Sequence, residues 1–215
     1  MISCIVVGMG RFGSAVARQL YRKGCEVVAM DVSADLIQQV AEDVTHAVVG
    51  DGQDKAVLKA LGVKDFDYAV VAIGDNLAAS VLVTMNMKEL GVKHVVCKAH
   101  DDTHRRVLEK LGADQVVIPE NDQAIRLAKS LASANVLDYI ELSEEYGIVD
   151  VTAPAAWVGK TLKELNIRAE LGINILAIRR QGKIHVSPNP DLAFSQGDIV
   201  VMLGDEKAIK KVQKL

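Results

Sequence analysis

The sequence predicts an α/β protein. A Rossmann-like parallel sheet of about six strands, with linking crossover helices, leads into a small α+β C-terminal subdomain. Three observations carry that prediction. Short, continuously apolar runs alternate with amphipathic helical stretches through residue 118, the pattern of a parallel sheet covered on both faces. The segment Gly8-Met9-Gly10-Arg11-Phe12-Gly13 directly follows the first run. From residue 143 the rhythm changes to short strands separated by turn residues.

The elements follow in chain order. Strand-length runs occupy Ile2–Val7, Glu26–Met30, Ala47–Val49, Tyr68–Ile73, His94–Lys98 and Gln115–Ile118. Between the first two, Phe12, Val16 and Leu20 recur at helical spacing and put one apolar stripe on a helix. Leu36, Ile37 and Val40 do the same further on, as do Val107, Leu108 and Leu111. Gly24, Gly62, Gly91 and Gly112 stand where helices close with a left-handed residue. In 119–142, Pro119 opens a helix and Ala124–Leu137 is helix-forming, so one long helix, or two broken near Asn135, is expected. In 143–215, strands are expected at Ile148–Val151, Ile173–Arg179, Ile184–Val186 and Ile199–Leu203. A hairpin turn is expected at Arg180-Gln181-Gly182-Lys183, with helices at Thr161–Leu165 and Glu206–Leu215. This last unit is small for an independent core and is expected to need a partner surface, such as its own copy.

Composition narrows the function. Residues 1–142 hold 15 basic and 19 acidic side chains and the remainder 10 and 9, so neither part has the basic field that grips nucleic acid. The apolar runs are too short to cross a bilayer, and Met1-Ile2-Ser3-Cys4 enters a strand with no basic leader, so a soluble cytoplasmic chain is expected. Cys4, Cys25 and Cys97 lie in or beside apolar runs and read as reduced, packed thiols. No His or Cys spacing suggests zinc.

The glycine segment has the context that nucleotide binding requires: strand before, helix after, and Asp31 at the end of the second strand. Gly8 permits the tight turn, Gly10 lets a phosphate approach the backbone, and Gly13 lets the helix pack on the sheet. The helix N-terminus offers N–H groups to an anion. Asp31 is placed to accept from ribose hydroxyls. Arg11 reads either as a contact to a terminal phosphate, favouring ATP or ADP, or as a solvated helix-start cation. Gly50-Asp51 ends the third strand where an adenine edge would lie, although Asp51 reads equally as a helix cap. Ile73, Gly74 and Asn76 end the fourth strand on the same rim, with Asn76 either capping a helix or lining the crevice. His46 and His94 read as structural residues at strand starts, and His100 and His104 as a solvated polar face. No catalytic set and no Walker-type loop accompany the site, so binding or sensing outranks catalysis.

Gly8–Gly13, Asp31, Gly50-Asp51, Val70–Asn76, Lys98-Ala99 and Leu111-Gly112-Ala113-Asp114 with Pro119-Glu120 together resemble the RCK, or TrkA-N, domain. Leu162–Arg168, Gly172–Ile178 and Ser187-Pro188 resemble the TrkA-C subdomain. The resemblance covers essentially the whole chain and runs to the cytosolic regulatory subunits of Ktr potassium uptake systems. It implies an N-terminal nucleotide-binding domain over 1–118, linking helices over 119–142 and a TrkA-C subdomain over 143–215. It implies ATP or ADP held by Gly8, Gly10, Arg11, Phe12, Gly13, Asp31, Asp51, Ile73, Gly74, Asn76 and Lys98. Arg11 would meet the terminal phosphate, and Glu120 would help hold a divalent cation, magnesium or calcium, at a dimer interface. It further implies homodimers assembled into an octameric ring beneath an integral membrane potassium-translocating subunit, at the inner face of the membrane. Cyclic di-AMP would bind between C-terminal subdomains. There Arg168 would meet a phosphate, Ile167, Ile175 and Pro188 would pack on the bases, and Asn166 and Asn174 would complete the motif.

The competing readings are an NAD(H)-dependent oxidoreductase and an NAD(H)-binding redox regulator. Both share the glycine motif and the acid. The oxidoreductase lacks a substrate domain and proton-transfer residues.

Overall fold

The computed structural model describes residues 1–131, 136–143, 145–212 and 215. They divide into two compact units, Met1–Pro119 and Glu120–Leu215.

In the first unit the elements run β1 (Ser3–Val7), α1 (Arg11–Arg22), β2 (Glu26–Asp31), α2 (Ala34–Gln38), β3 (His46–Val49) and α3 (Lys55–Ala60). They continue with β4 (Tyr68–Val71), α4 (Leu77–Glu89), β5 (His94–Lys98), α5 (Asp102–Lys110) and β6 (Gln115–Val117). Among the described residues these strands form a six-stranded sheet in the order β3-β2-β1-β4-β5-β6, every pair parallel. Both faces are covered, which is why the strands read as continuous apolar runs. Ile5, Val7, Met30 and Val71 face a core with Leu58, Val83, Met87 and Leu108. Val6, Val27, Ala29 and Val70 face another with Ala17, Ile37 and Val40. The helices start and stop where their sequence provides for it. Ser33, Asp54, Asn76 and Asp101 each accept a first-turn N–H of the helix they precede. Gly24, Gly62, Gly91 and Gly112 close helical segments at φ between 67° and 89°. β1 has β2 on one side and β4 on the other, so the chain reverses its winding direction there. In such sheets ligands bind outside the strand carboxyl ends at that switch point.

Pro119 begins α6 (Pro119–Leu131). The second unit continues with β7 (Val136–Glu141), β8 (Tyr146–Thr152), α7 (Leu162–Leu165), α8 (Ile167–Leu171), β9 (Asn174–Arg180), β10 (Lys183–Val186), β11 (Ile199–Asp205) and α9 (Glu206–Val212). Its antiparallel sheet has the order β10-β9-β11-β8-β7. One face packs against Trp157, Ile167, Phe194 and Ile209, with the Trp157 and Phe194 rings 5.3 Å apart. The β9–β10 turn lies at Arg180–Lys183 as expected. Gln181 and Gly182 both have positive φ (49° and 78°), the geometry that matches strand twist in a two-residue hairpin.

One expectation about this region needs correction. Residues 119–142 are not helical throughout: α6 ends at Leu131, and Val136–Glu141 is a strand paired antiparallel to β8. The expected break near Asn135 lies outside the described residues. The strand wins because Tyr139 pairs opposite Val149 of β8, lays its ring over Gly147 and joins the core of the unit. A Cβ on Gly147 would come within 2.6 Å of the tyrosine oxygen. The stretch after Leu165 also contains a second short helix, α8, entered through Asn166 in the left-handed conformation (φ 42°, ψ 41°).

Candidate functional site

A cleft of about 300 Å³ opens at the carboxyl ends of β1 to β4. Of the residues expected there, Gly8, Gly10, Asp31, Asp51, Ile73, Gly74 and Asn76 line it. The three glycines of the loop serve different ends. Gly8 has φ 98°, donates its N–H to the Met30 carbonyl at 2.8 Å, and a Cβ there would press on Ala72 at 3.1 Å. A Cβ on Gly13 would lie 1.8 Å from the Gly8 carbonyl oxygen. Gly10 has nothing within 4 Å of where a Cβ would stand. Packing therefore requires glycine at 8 and 13, whereas at 10 it keeps the backbone accessible to a ligand.

The helix that starts at this loop differs from its neighbours. α2, α3, α4 and α5 are capped by side chains, but α1 begins at Gly10 with no side-chain cap and no acid in its first turn. Its leading N–H groups are the natural donors to an anion.

Asp31 occupies the other side of the loop. One carboxylate oxygen accepts the Met9 N–H at 2.6 Å and the other the Ser33 N–H at 2.8 Å. Each oxygen keeps a further lone pair for a donor such as a ribose hydroxyl. Asp51 does not cap a helix, contrary to one reading of it. Its Oδ1 accepts the Gln53 N–H at 2.9 Å in a local turn, and Asp54 caps α3 instead. Asn76 does both things expected of it: it accepts the Ala79 N–H at 3.0 Å and lines the cleft.

Arg11, Phe12, Gly13 and Lys98 are not in the cleft wall. Arg11 is exposed at the start of α1. Phe12 packs against the core on the α1 side. Lys98 stands beside the cleft, with its ammonium 6.0 Å from the Phe12 ring centre and 3.3 Å from where a Cβ on Gly74 would be. Asp75, on the same rim as Gly74 and Asn76, also lines the cleft, as do Val32, Gly52, Gln53 and Ala79, which no local sequence pattern marks. Asp31, Asp51 and Asp75 give the cleft wall three carboxylates, whereas Arg11, Lys98 and the leading N–H groups of α1 lie around the loop.

His104 is buried, not solvated. Nδ1 accepts the His100 backbone N–H at 3.2 Å, so Nε2 carries the proton and donates to Ser80 Oγ at 3.1 Å. Burial holds its pKa below the usual histidine value, keeping it neutral. His94 stacks on Tyr68 at 5.1 Å at the far end of the strands.

In the second unit, a cleft of about 250 Å³ gathers Asn166, Ile167, Arg168, Asn174, Ile175 and Pro188, with Lys163 at its edge. Asn166 and Arg168 come from the α7–α8 corner, Asn174 and Ile175 from the start of β9, and Pro188 from the segment after β10. Apolar walls flank two cationic side chains, an arrangement suited to a flat base attached to a phosphate.

Glu120 is exposed in the first turn of α6. Among the described residues, no group of three or more His, Cys, Asp or Glu side chains is gathered to hold a metal. A cation at Glu120 would need phosphate oxygens or a second chain to complete its shell. Among the described residues, no helix is long and apolar enough to cross a membrane.

Comparison with known proteins fits this division. The TrkA-N domain model matches residues 4–119 and the TrkA-C domain model residues 147–215. The chain is 46% identical over 209 residues to Ktr system potassium uptake protein C of Bacillus subtilis, covering 97% of this chain and 95% of that one. It is 40% identical over 208 residues to Ktr system potassium uptake protein A of the same organism, covering 97% and 94%. The crystal structure of the GsuK RCK domain superimposes with a TM-score of 0.70 at 19% identity, covering all of this chain and 47% of that one.

Proposed function

The chain belongs to the RCK family of paired TrkA-N and TrkA-C domains, of the Ktr potassium-uptake type, and from that premise we propose that it is a cytoplasmic nucleotide-sensing regulatory subunit. Its relatives serve potassium transport and are not enzymes. In this reading ATP and ADP occupy the N-terminal cleft and switch a ring of homodimers, an octamer, between two conformations. The ring controls potassium flux through a separate membrane subunit at the inner face of the membrane. The observation that carries the reading is the uncapped start of α1 facing Asp31 across the Gly8–Gly13 loop. It pairs an anion site with a hydroxyl acceptor in one cleft. A ligand shifts a two-state assembly only through its differential affinity for the two states. ATP and ADP differ by one phosphate, so the groups that feel that phosphate decide the switch. Arg11 is proposed for that contact, and Glu120 as one ligand of a divalent cation bridging phosphate and a second chain.

Equilibrium binding of ATP, ADP and NADH, each with and without magnesium, tests this. ATP and ADP are expected to bind, with ATP strengthened by magnesium. Tight NADH binding with weak ATP binding would replace this reading with the redox-regulator one, which Asp31 and the glycine loop equally accommodate. Arg11→Ala is expected to weaken ATP roughly ten- to a hundredfold, the loss of a charge-assisted hydrogen bond, and to leave ADP within about twofold. Equal effects on the two nucleotides would remove Arg11 from the phosphate.

The second cleft is proposed as a cyclic di-AMP site completed by the C-terminal unit of another copy, with Arg168 on a phosphate and Ile167, Ile175 and Pro188 against the bases. Arg168→Ala is expected to weaken cyclic di-AMP about tenfold without altering ATP affinity. Unchanged cyclic di-AMP titrations would dismiss that role.

A further inference from the structure

α4 carries three buried polar side chains, Ser80 and Thr84 on one side and Asn86 on another. Ser80, Thr84 and Asn86 are all shielded from solvent. The hydroxyl of Thr84 donates to the Ser80 carbonyl one turn back, at 2.7 Å, and meets the Cys97 sulfur at 3.3 Å. Asn86 reaches further. Its Nδ2 donates to the Gln53 carbonyl at 2.9 Å, with a longer contact of 3.5 Å to the Gly52 carbonyl. A buried amide is costly unless its hydrogen bonds are made, and here they are made to a segment distant in sequence.

That segment is the base end of the nucleotide cleft: Gly50, Asp51, Gly52 and Gln53 all line it. It is fixed on one side by the Gly50 N–H, which donates to the Asp31 carbonyl at 2.9 Å. Beneath, Gly52 lies against Val7 and Val83, so close that a Cβ would stand 2.9 and 3.1 Å from their methyl groups. The Asn86 amide grips the two carbonyls that follow Asp51. These three restraints seat the turn, and within it the Gln53 N–H and side-chain amide donate to the Asp51 carboxylate, so the turn sets where that carboxylate is presented.

We infer that Asn86 is a positioning residue for base selection. By seating the Asp51-Gly52-Gln53 turn, it places the Asp51 carboxylate against the exocyclic amine of adenine and against the carbonyl of guanine. The amine donates to a carboxylate, whereas the guanine carbonyl is repelled by it. The inference rests on the nucleotide reading of the cleft and adds to it the residue that makes the site read adenine.

The experiment is equilibrium binding of ATP and GTP to the full chain, alongside unfolding midpoints, for the unaltered protein, Asn86→Leu and Gly52→Ala. Asn86→Leu puts an apolar side chain of similar size in place of the amide and so removes the donor. The unaltered protein is expected to prefer ATP over GTP at least tenfold. Asn86→Leu loses about tenfold in ATP affinity, with GTP changed by less than twofold, so the preference collapses. Gly52→Ala displaces the same turn without touching Asn86, gives the same signature, and decides the matter should Asn86→Leu fail to fold. A proportionate loss for both nucleotides would mean that Asn86 serves stability alone. ATP binding without preference over GTP would overturn base selection while leaving the nucleotide site intact. Absence of binding by either nucleotide would take down the underlying reading as well.

Discussion

Replacing Gly13 by alanine is expected to unseat the nucleotide loop and destabilise the N-terminal unit by about 3 kcal/mol, at the upper end for overpacking. The added methyl would lie 1.8 Å from the Gly8 carbonyl oxygen and 2.9 Å from the Ala72 methyl. Neither neighbour has slack. Gly8 is pinned by its N–H to Met30 and by its positive φ, and Ala72 donates its N–H to the Val7 carbonyl at 2.8 Å. The start of α1 must therefore move off the sheet, taking its free N–H groups with it. The unfolding midpoint of this unit is expected to fall by roughly 10 °C for a domain of this size. ATP affinity falls at least a hundredfold, about 2.7 kcal/mol. Gly10→Ala is the internal contrast. Its Cβ meets nothing within 4 Å and its φ of −64° suits any residue, so the midpoint stays put. ATP affinity drops all the same, because the methyl occupies the ligand's approach. A Gly13→Ala protein with unchanged midpoint and affinity would refute this account of the loop.

The same contrast explains how much of the molecule could be read in advance. Six parallel strands were legible because burial on both faces makes each run apolar regardless of register, so pairing need not be known to recognise them. The glycine loop is legible because it directly follows the first apolar run, whereas the switch point beside β1 appears only in the assembled strand order. Val136–Glu141 was not legible as a strand because its evidence lies in another segment. Asp138 interrupts the apolar run, the register shifts between Val136 and Asp138, and the Tyr139–Gly147 contact exists only once β8 is in place. His104 was hidden by charged neighbours, although its spacing to Leu108, itself buried, puts it on the inner face of α5. At the cleft, the residues attached to the glycine motif are legible in the sequence. Gly52 and Gln53, and Asn86 behind them, are not, since the Asn86–Gln53 pairing spans 33 residues and leaves no local pattern.

Removing the Asp198 carboxylate is expected to cost the C-terminal unit about 4 kcal/mol, the order seen when one member of a buried ion pair is deleted. Asp198 is 1% exposed. It accepts from Arg180 Nε at 2.7 Å and Nη2 at 2.6 Å, and from the Ser195 N–H at 2.8 Å. Arg180 also donates to the Ala193 carbonyl at 2.8 Å, so one pair ties the end of β9 to the segment that enters β11. In Asp198→Ala the guanidinium is left partly buried without its counter-charge. A loss of that size is a large part of the stability of a domain of this length. Calorimetry of the full chain is expected to show the transition of the C-terminal unit lowered and that of the N-terminal unit unchanged, since each has its own core. Arg180→Met combined with Asp198→Leu should be less destabilised than Asp198→Ala, because no lone charge remains. Hydrogen bonding to Arg180 holds the Asp198 carboxyl below its usual range. A depressed folded-state pKa gives stability that is fully present above the unfolded value of about 4 and lost as pH falls through the folded value. Acid should therefore weaken the C-terminal unit less in Asp198→Ala than in the unaltered protein. The second cleft depends on the same strand, because Asn174 and Ile175 open β9. A variant that loses Asp198 yet keeps both the transition and cyclic di-AMP binding would show that the pair is dispensable.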